Sequence, residues 1–249
     1  MELLKDQVFV CFDCEATGLD PNQDRIVEIA CARFTFQQIL DQFESLINPE
    51  VEIPQSSIMI HHITQEMVND KPRIQDVLRQ VLDLIGNYPI VGHGVNYDIE
   101  IVAASCQRNN IATTIRQNPT IDTLRLARLY GQSPTNSLEV LRQHFNIPAE
   151  GAHRAMSDVV VNIQVFKYLS TSFKNLHQIQ ECLEKPIFMK TMPLGKHKGR
   201  LLKDLPLDYI LWAANQSFDR DLLFSLRSEV NRRKKGNSFA QSANPFHSL

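Results

Sequence analysis

The first fifty residues alternate between apolar and polar positions in the way that β-strands do. Val, Ile, Phe and Cys occupy many of the apolar positions, and turn-forming residues at 21–24 and 48–49 interrupt the pattern. Successive side chains of a strand point to opposite faces of a sheet, so a period of two indicates strands. The pattern predicts three strands in a meander, at residues 7–14, 26–34 and 42–47.

After residue 70 the apolar spacing changes to three and four, which indicates amphipathic helices. Helices are predicted at residues 74–85, 97–109, 123–130, 137–145 and 155–169, and two short strands at 89–92 and 120–121. Strands followed by alternating strands and helices are typical of an α/β fold. The predicted fold class is therefore α/β, with a mixed five-stranded sheet flanked by helices.

The segment Glu184-Lys185-Pro186 predicts a domain boundary. The predicted organisation is a first domain at 1–183, a small basic module at 187–235 and a flexible tail at 236–249. Within the module, helices are expected at 206–214 and 221–233, and Tyr209, Leu211 and Trp212 are expected in its core.

Charge divides the chain at nearly the same point. Residues 1–185 carry 15 basic and 23 acidic side chains, whereas residues 186–249 carry 11 and 5, so their formal charges are −8 and +6. An acidic body joined to a basic segment fits an enzyme attached to a module that holds a polyanion. A solvated basic helix end at residues 232–235 is the alternative explanation for part of this charge.

Neither a membrane span nor a secretion signal is predicted. No apolar segment approaches the roughly 20 residues that a span needs, and no apolar signal core follows the first methionine. The five cysteines are an odd number, which argues against a full disulfide framework. A cytoplasmic protein without membrane contact is therefore predicted. Cys11 and Cys14 are interpreted as small core residues, and a zinc knuckle is the alternative.

Four acidic residues and one histidine form the candidate chemistry of the chain. They are Asp13 and Glu15 at the end of the first predicted strand, Asp98 near a helix start, and His153 and Asp158 around another. Carboxylates that gather at the ends of apolar segments repel one another unless cations neutralise them. Oxygen ligands select Mg²⁺ or Mn²⁺, and a histidine beside them can move a proton. The set predicts a carboxylate-lined metal site.

Each of these features has an ordinary structural explanation when it is taken alone. Two acids can cap the end of a strand, an aspartate can cap a helix, and a histidine can lie at the surface before one. The prediction of a metal site therefore depends on the whole set and on its order along the chain.

Asp-x-Glu-x-Thr-Gly followed by two His-x4-Asp segments, in this order, resembles the DEDDh 3′–5′ exonuclease superfamily, also called DnaQ-like. The resemblance covers about residues 7–172 and includes Ile60-His61-His62-Ile63-Thr64 and Asp122-Thr123-Leu124. It implies a ribonuclease H-like fold and a phosphodiester hydrolase that uses two divalent cations.

The resemblance also implies roles for the five candidate residues. Asp13, Glu15 and Asp158 would hold the first cation, and Asp13 with Asp98 would hold the second. His153 would deprotonate the attacking water, and the product would be a nucleoside 5′-monophosphate.

Six further residues are implied in substrate binding, namely Ala16, Thr17, Gly18, Leu19, His61 and His93. Two positions depart from the family pattern. Gly94 replaces the asparagine that often precedes the second aspartate segment, and His62 replaces the glycine of Ile-His-Gly-Ile-Thr. The first change is expected to alter how the Asp98 loop is held, and the second to narrow or charge the nucleotide pocket.

The basic module carries a resemblance of its own. Residues 195–200, with Tyr209 and Trp212 behind them, resemble a small Gly-Lys-x-[Lys/Arg]-Gly domain that follows the nuclease in exodeoxyribonuclease X. In layout the chain is closer to that group than to the proofreading ε subunit of DNA polymerase III. Three cations are predicted to contact nucleic-acid phosphates: Lys196, Lys198 and Arg200. Base stacking is the alternative to a core position for the two aromatic residues.

The predicted function is metal-dependent 3′–5′ exonuclease activity on DNA, in repair or replication proofreading. The partners would be single-stranded DNA or DNA 3′ ends and, in a proofreading role, a DNA polymerase. An RNA-trimming exoribonuclease is one alternative, and a catalytically weak nucleic-acid-binding subunit of a polymerase complex is another. Residue identities do not separate DNA from RNA, because sugar discrimination depends on the shape of the pocket around the 2′ position.

Overall fold

The computed structural model describes residues 3–130, 135–148 and 154–242. The chain divides into two compact units, Met1–Cys182 and Leu183–Leu249. Within the described ranges, none of the helices combines the length and the apolarity that crossing a bilayer requires.

The first unit is built on a five-stranded sheet in the order β3-β2-β1-β4-β5. Its strands are β1 (Phe9–Ala16), β2 (Ile26–Phe34), β3 (Ile39–Leu46), β4 (Ile90–Gly92) and β5 (Thr120–Asp122). The first three strands form an antiparallel meander, β4 is parallel to β1, and β5 is parallel to β4. The predicted α/β fold with a mixed five-stranded sheet is confirmed.

The helices that accompany the sheet are α1 (Gln55–His61), α2 (Gln65–Val68), α3 (Ile74–Ile85), α4 (Asn96–Arg108), α5 (Thr123–Tyr130), α6 (Leu138–His144), α7 (Ala155–Leu169) and α8 (Leu176–Glu184). The bounds of α3 to α7 were predicted to within one residue, whereas α1, α2 and α8 were missed. Met59 and Ile60 are exposed on α1, so the apolar residues of this helix do not mark one buried face.

The two faces of β1 pack against different helices, because successive side chains of the strand point in opposite directions. The even-numbered residues of the strand pack in the core formed with α3 and α4. The odd-numbered residues face α7, where the rings of Phe9 and Phe166 lie 5.2 Å apart. β1 continues to Ala16, two residues past its predicted end. The same parity therefore directs Asp13 and Glu15 toward the beginning of α7.

All five cysteines lie in the described part of the chain and are free. Cys11, Cys14, Cys31 and Cys106 are buried, and Cys182 is exposed. The interpretation of Cys11 and Cys14 as core residues is confirmed.

The second unit contains α9 (Leu207–Ala213) and α10 (Arg220–Ser242) behind a tight turn. The Met192 amide donates to the Arg200 carbonyl at 2.9 Å, and the Gly199 amide donates to the Met192 carbonyl at 2.8 Å. Gly195 and Gly199 have φ angles of +70° and +82°, which side chains other than glycine rarely adopt. The turn therefore needs both glycines that bracket the cations.

One expectation for the core of this unit was wrong. Trp212 is 54% exposed, and Leu211 beside it is also exposed, so neither is a core residue. The two-turn helix α9 is apolar on several sides, and only the side with Ile210 and Ala213 is buried. The helix α10 continues to Ser242, so residues 236–242 are helical, and the flexibility of the tail at 236–249 stays a prediction. Residues 243–249 lie outside the described part of the chain.

Candidate active site

Three of the predicted metal ligands meet at the carboxyl end of β1. Asp13 and Glu15 belong to β1, and Asp158 lies on the first turn of α7. One carboxylate oxygen of each lies within 4.8 Å of the others. Oxygen ligands sit roughly 2.0–2.6 Å from Mg²⁺ or Ca²⁺, so carboxylates this close can share one cation.

Burial and mutual repulsion disfavour the ionised form of these carboxylates. Burial raises the pKa of Asp13 well above its usual range, and the charges of Asp98 and Glu15 raise it further. Burial, followed by repulsion from Asp158 and Glu28, raises the pKa of Glu15 to about 7. A bound cation favours the ionised form and relieves this conflict. Because the donors are all carboxylate oxygens, the set fits Mg²⁺ or Mn²⁺.

Asp98 lies in the same cleft but is not part of the three-carboxylate cluster. It is buried on the first turn of α4, and its Oδ1 accepts a hydrogen bond from the Cys14 amide at 3.0 Å. Burial raises the pKa of Asp98 to about 7, although the hydrogen bond from Cys14 opposes this shift. The N-cap of α4 is Val95, so Asp98 is not the helix cap that the ordinary explanation required.

A cleft of about 600 Å³ opens beside these carboxylates. Its lining includes Ala16, Thr17, Gly18, Leu19, Ser57, Ile60, His61, His93, Gly94 and Tyr97. All six residues predicted to bind substrate therefore line the cleft. Substrate binding by them stays a prediction.

Hydrogen bonds hold the cleft wall at residues 16–19 in place. Thr17 Oγ1 donates to Asp24 Oδ1 at 2.8 Å, so its hydroxyl is already engaged. Ser57 Oγ donates to the Thr17 carbonyl at 2.7 Å, and the Tyr97 hydroxyl donates to the Gly18 carbonyl. A Cβ on Gly18 would come within 2.5 Å of the Asp24 carboxylate. The backbone of the wall is therefore held in place, and the Thr17 hydroxyl is engaged within the protein.

Burial favours the uncharged form of two histidines that line the cleft. His61 is buried, and its Nδ1 accepts the Ile63 amide at 3.0 Å, while its Nε2 makes no well-formed hydrogen bond to a described atom. Burial lowers the pKa of His61. His93 Nδ1 lies 3.1 Å from Thr123 Oγ1, and burial lowers the pKa of His93 to about 4. Both rings are therefore expected to be uncharged at neutral pH.

His153 lies outside the described residues, so its place beside the carboxylates stays a prediction. The residue after it, Arg154, is firmly anchored: its Nη2 and Nε donate to Glu28 Oε1 at 2.6 and 2.9 Å. The Ala155 amide donates to Glu28 Oε2 at 3.0 Å. This contact fixes where α7 begins, and with it the position of Asp158.

A second buried contact holds α7 one turn beyond Asp158. Asn162 Nδ2 donates to Cys11 Sγ at 3.5 Å, and Thr123 Oγ1 donates to Asn162 Oδ1 at 2.6 Å. Sequence reasoning missed both Glu28 and Asn162. The sequence did contain a signal, namely a polar residue within an otherwise apolar strand or helix face. Such a residue requires a hydrogen-bond partner when it is buried.

The two departures from the family pattern have structural explanations. Gly94 has a φ of +75°, and its amide donates to Asp122 Oδ1 at 2.9 Å, which holds the loop before Asp98. His62 ends α1 in the left-handed conformation, with φ 60°. Its side chain is exposed, and it is not among the described residues that line the cleft. That His62 narrows or charges the nucleotide pocket stays a prediction.

Comparisons with known proteins show which family the chain resembles. Residues 10–166 match the sequence model of a family described as Exonuclease, and residues 180–226 match a family described as putative quorum-sensing-regulated virulence factor. Curated relatives include DNA polymerase III PolC-type of Clostridium perfringens, 31% identical over 87% of this chain and 14% of the relative. That of Thermotoga maritima is 35% identical over 65% of this chain and 12% of the relative. The chain spans about one seventh to one eighth of the length of these relatives.

Solved structures show the same relation. Exonuclease X in complex with 5′-overhanging duplex DNA is 25% identical, with a TM-score of 0.56, over 70% of this chain and 98% of that chain. The E. coli exonuclease I complex with single-stranded DNA is 21% identical, with a TM-score of 0.62, over 72% of this chain and 43% of that chain. This second likeness concerns the fold alone. Because the exonuclease family model matches well over half of its length, this chain belongs to the exonuclease family, within the DEDD superfamily.

Proposed function

We propose that this protein is a metal-dependent 3′–5′ exonuclease that removes nucleoside 5′-monophosphates from DNA 3′ ends. The observation that carries this proposal is the group of three carboxylates within 4.8 Å of one another, in a cleft of about 600 Å³. Cavities of roughly 300–1,000 Å³ hold small ligands, a range that suits a terminal nucleotide.

Asp13, Glu15 and Asp158 would hold one divalent cation, and Asp98 together with Asp13 would contribute to a second. Bound Mg²⁺ or Mn²⁺ supplies stabilisation of the charge on the attacking and leaving oxygens of an in-line displacement. The hydrogen bond from Cys14 to Asp98 keeps that carboxylate directed at the site. His153 would take the proton of the attacking water, a role that suits a group titrating near neutrality.

The cleft wall at 16–19 would hold the terminal nucleotide by close backbone approach. Leu19 and Ile60 both line the cleft and are exposed, so they offer apolar surface to a base. His61 lines the same wall, and its ring is held by the hydrogen bond that Nδ1 accepts from the Ile63 amide. Lys196, Lys198 and Arg200 of the second unit would contact phosphates elsewhere on the strand.

The similar proteins support DNA as the substrate. The curated relatives are DNA polymerases, and the exonuclease X structure contains duplex DNA with a 5′ overhang. The likeness to PolC-type polymerases also favours a second candidate function, proofreading in association with a polymerase. Co-purification of the full chain with a DNA polymerase, at physiological salt, would support that second function.

Activity on labelled oligonucleotides tests the proposal directly. Matched single-stranded DNA and RNA, labelled at the 5′ or the 3′ end, are incubated with Mg²⁺ or with EDTA. A 3′–5′ exonuclease gives a shortening ladder from the 5′ label and a labelled mononucleotide from the 3′ label. Faster cleavage of DNA than of RNA is expected.

The matched variants are Asp13→Asn, in the carboxylate cluster, and Asp83→Asn, an exposed position on α3. We expect Asp13→Asn to abolish cleavage and Asp83→Asn to leave it unchanged. Mononucleotide release from the 5′ label would refute the direction, and full activity of Asp13→Asn would refute the metal site.

A further inference from the structure

The second unit presents a row of aromatic and basic side chains at its surface, of which Tyr209 also packs against the core of the unit. The rings of His197 and Tyr209 lie 4.3 Å apart, and those of Tyr209 and Trp212 lie 5.5 Å apart. Lys196 Nζ lies 5.4 Å from the centre of the Tyr209 ring. Arg200 Nη1 lies 3.2 Å from His197 Nδ1. We call these five side chains the aromatic–basic row.

The row is exposed by the geometry of the two elements that carry it. Met192 and Arg200 pair across the glycine-bracketed turn, which leaves the side chains of Lys196 and Lys198 in solvent. On α9, Ile210 and Ala213 enter the core. Trp212 is consequently left 54% exposed.

A half-exposed indole beside a tyrosine whose ring contacts a lysine suits unpaired nucleic acid. Single-strand binding proteins combine a positively charged track for the phosphates with aromatic rings on which bases stack. The bases of a duplex are already stacked on one another, so an exposed ring selects an unpaired strand. Residues 186–249 have a formal charge of +6, which complements a polyanion.

We propose that the aromatic–basic row, with Lys198, binds single-stranded nucleic acid, with a base stacked on Trp212 and phosphates at the turn. This inference rests on the proposed function for the identity of the polymer. It adds a second contact with the strand, in a unit different from the one that contains the cleft. Because the two contacts lie in different units, each can be removed separately.

Trp212 is the only tryptophan in the chain, so its fluorescence reports on the row alone. Full-length protein in EDTA, where the oligonucleotide stays intact, is titrated with oligothymidylate while binding is followed by anisotropy of a dye on the oligonucleotide. Inorganic polyphosphate serves as the matched polyanion without bases. We expect oligothymidylate to quench the tryptophan, and polyphosphate to compete for binding without quenching.

Variants separate stacking from charge. Trp212→Leu is expected to weaken oligonucleotide binding roughly 5- to 150-fold, the range for loss of one stacked base. Phe224→Leu, an exposed aromatic on α10 outside the row, should bind normally. Replacing Lys196, Lys198 and Arg200 by Ala should lower the salt slope of binding by roughly 2, at about 0.7 per single-strand phosphate contact.

The outcomes distinguish this inference from the proposed function. Unchanged Trp212 fluorescence at saturating oligonucleotide would overturn the inference. A Trp212 fluorescence that changes with protein concentration in the absence of oligonucleotide would also overturn it, because a second protein molecule would then cover the row. Asp13→Asn should abolish cleavage and retain quenching. Quenching by a protein that cleaves neither DNA nor RNA would refute the proposed function and leave this inference standing.

Discussion

Removal of the Arg154 guanidinium should destabilise the first unit more than removal of an ordinary surface arginine. Glu28 is 3% exposed and accepts from two nitrogens of Arg154 and from the Ala155 amide. In Arg154→Met the aliphatic stem remains, but among the described residues Glu28 keeps the Ala155 amide as its one hydrogen-bond donor. A buried carboxylate without its counter-ion is costly because water no longer solvates it.

The expected cost follows from the exposure of the two partners. Removing one member of a buried ion pair costs roughly 3–5 kcal/mol. The Arg154 side chain is 48% exposed, so water screens its side of the pair, and about 2–3 kcal/mol is expected instead. The second change, Glu28→Gln in the Arg154→Met background, removes the unpaired charge. It should restore about 1 kcal/mol of stability.

The control is Arg33→Met, which breaks the pair between Arg33 and Asp41 on the neighbouring strands. These side chains are 26% and 58% exposed, and such a pair contributes about 0–1 kcal/mol. The account of a buried ion pair is refuted if Arg154→Met lowers the free energy of unfolding no more than Arg33→Met does. It is also refuted if Glu28→Gln lowers the stability of the Arg154→Met protein further.

Stability of the first unit has to be measured separately, because Trp212 lies in the second. Cys11, Cys14, Cys31 and Cys106 are buried in the first unit, so their reaction with a thiol reagent in urea reports its opening. The exposed Cys182 reacts at once and provides an internal reference. Since the contact with Glu28 fixes the start of α7, Arg154→Met should also raise the Mg²⁺ concentration needed for half-maximal cleavage.

Four further predictions concern the site, the backbone and the second unit. Without metal, thermal stability should fall from about pH 5 to pH 8, because the pKa values of Glu15 and Asp98 are about 7 in the folded state and roughly 4 when unfolded. Between these pH values the folded state binds more protons than the unfolded state, so raising the pH favours unfolding. Mg²⁺ should therefore restore more stability at pH 8 than at pH 5. A melting temperature that rises with pH in EDTA would contradict this. His62→Gly should raise stability by about 1 kcal/mol in urea unfolding followed by thiol reactivity, because His62 has a φ of 60°. Truncation of residues 183–249 should weaken the binding of long oligonucleotides, measured by anisotropy, but spare the cleavage of short oligonucleotides. Loss of both the binding and the cleavage would show that the first unit needs the second to fold. His153→Ala should lower the single-turnover rate roughly 10²–10⁴-fold if His153 is the general base, and an unchanged rate would remove that role.

In the first unit, local periodicity was enough to predict the sheet, five of the eight helices and the shared face of Asp13 and Glu15. A strand must alternate to bury one face, so both the strand and the direction of its acids follow from the same pattern. The contact between Glu28 and Arg154 could not be found this way, because it joins residues far apart in sequence. Such a partner is identified only when the fold brings α7 against β2.

Trp212 was misassigned for a different physical reason. A helix of two turns with apolar residues on several sides has no single apolar face that the sequence can mark. The direction of burial was then decided by which side met the small core around Ile210 and Leu222. Short helices in small units are therefore where assignment from the hydrophobic pattern fails first.

One exposed thiol and one tryptophan make fluorescence energy transfer between the two units possible without any substitution. Cys182, the one exposed thiol, is the last residue of the first unit, and Trp212 is the only indole. A coumarin or similar acceptor coupled to Cys182 would take up excitation from Trp212 without any engineered residue. The separation of the two units, and its change along the steps of a reaction, can therefore be followed in solution as an optical distance.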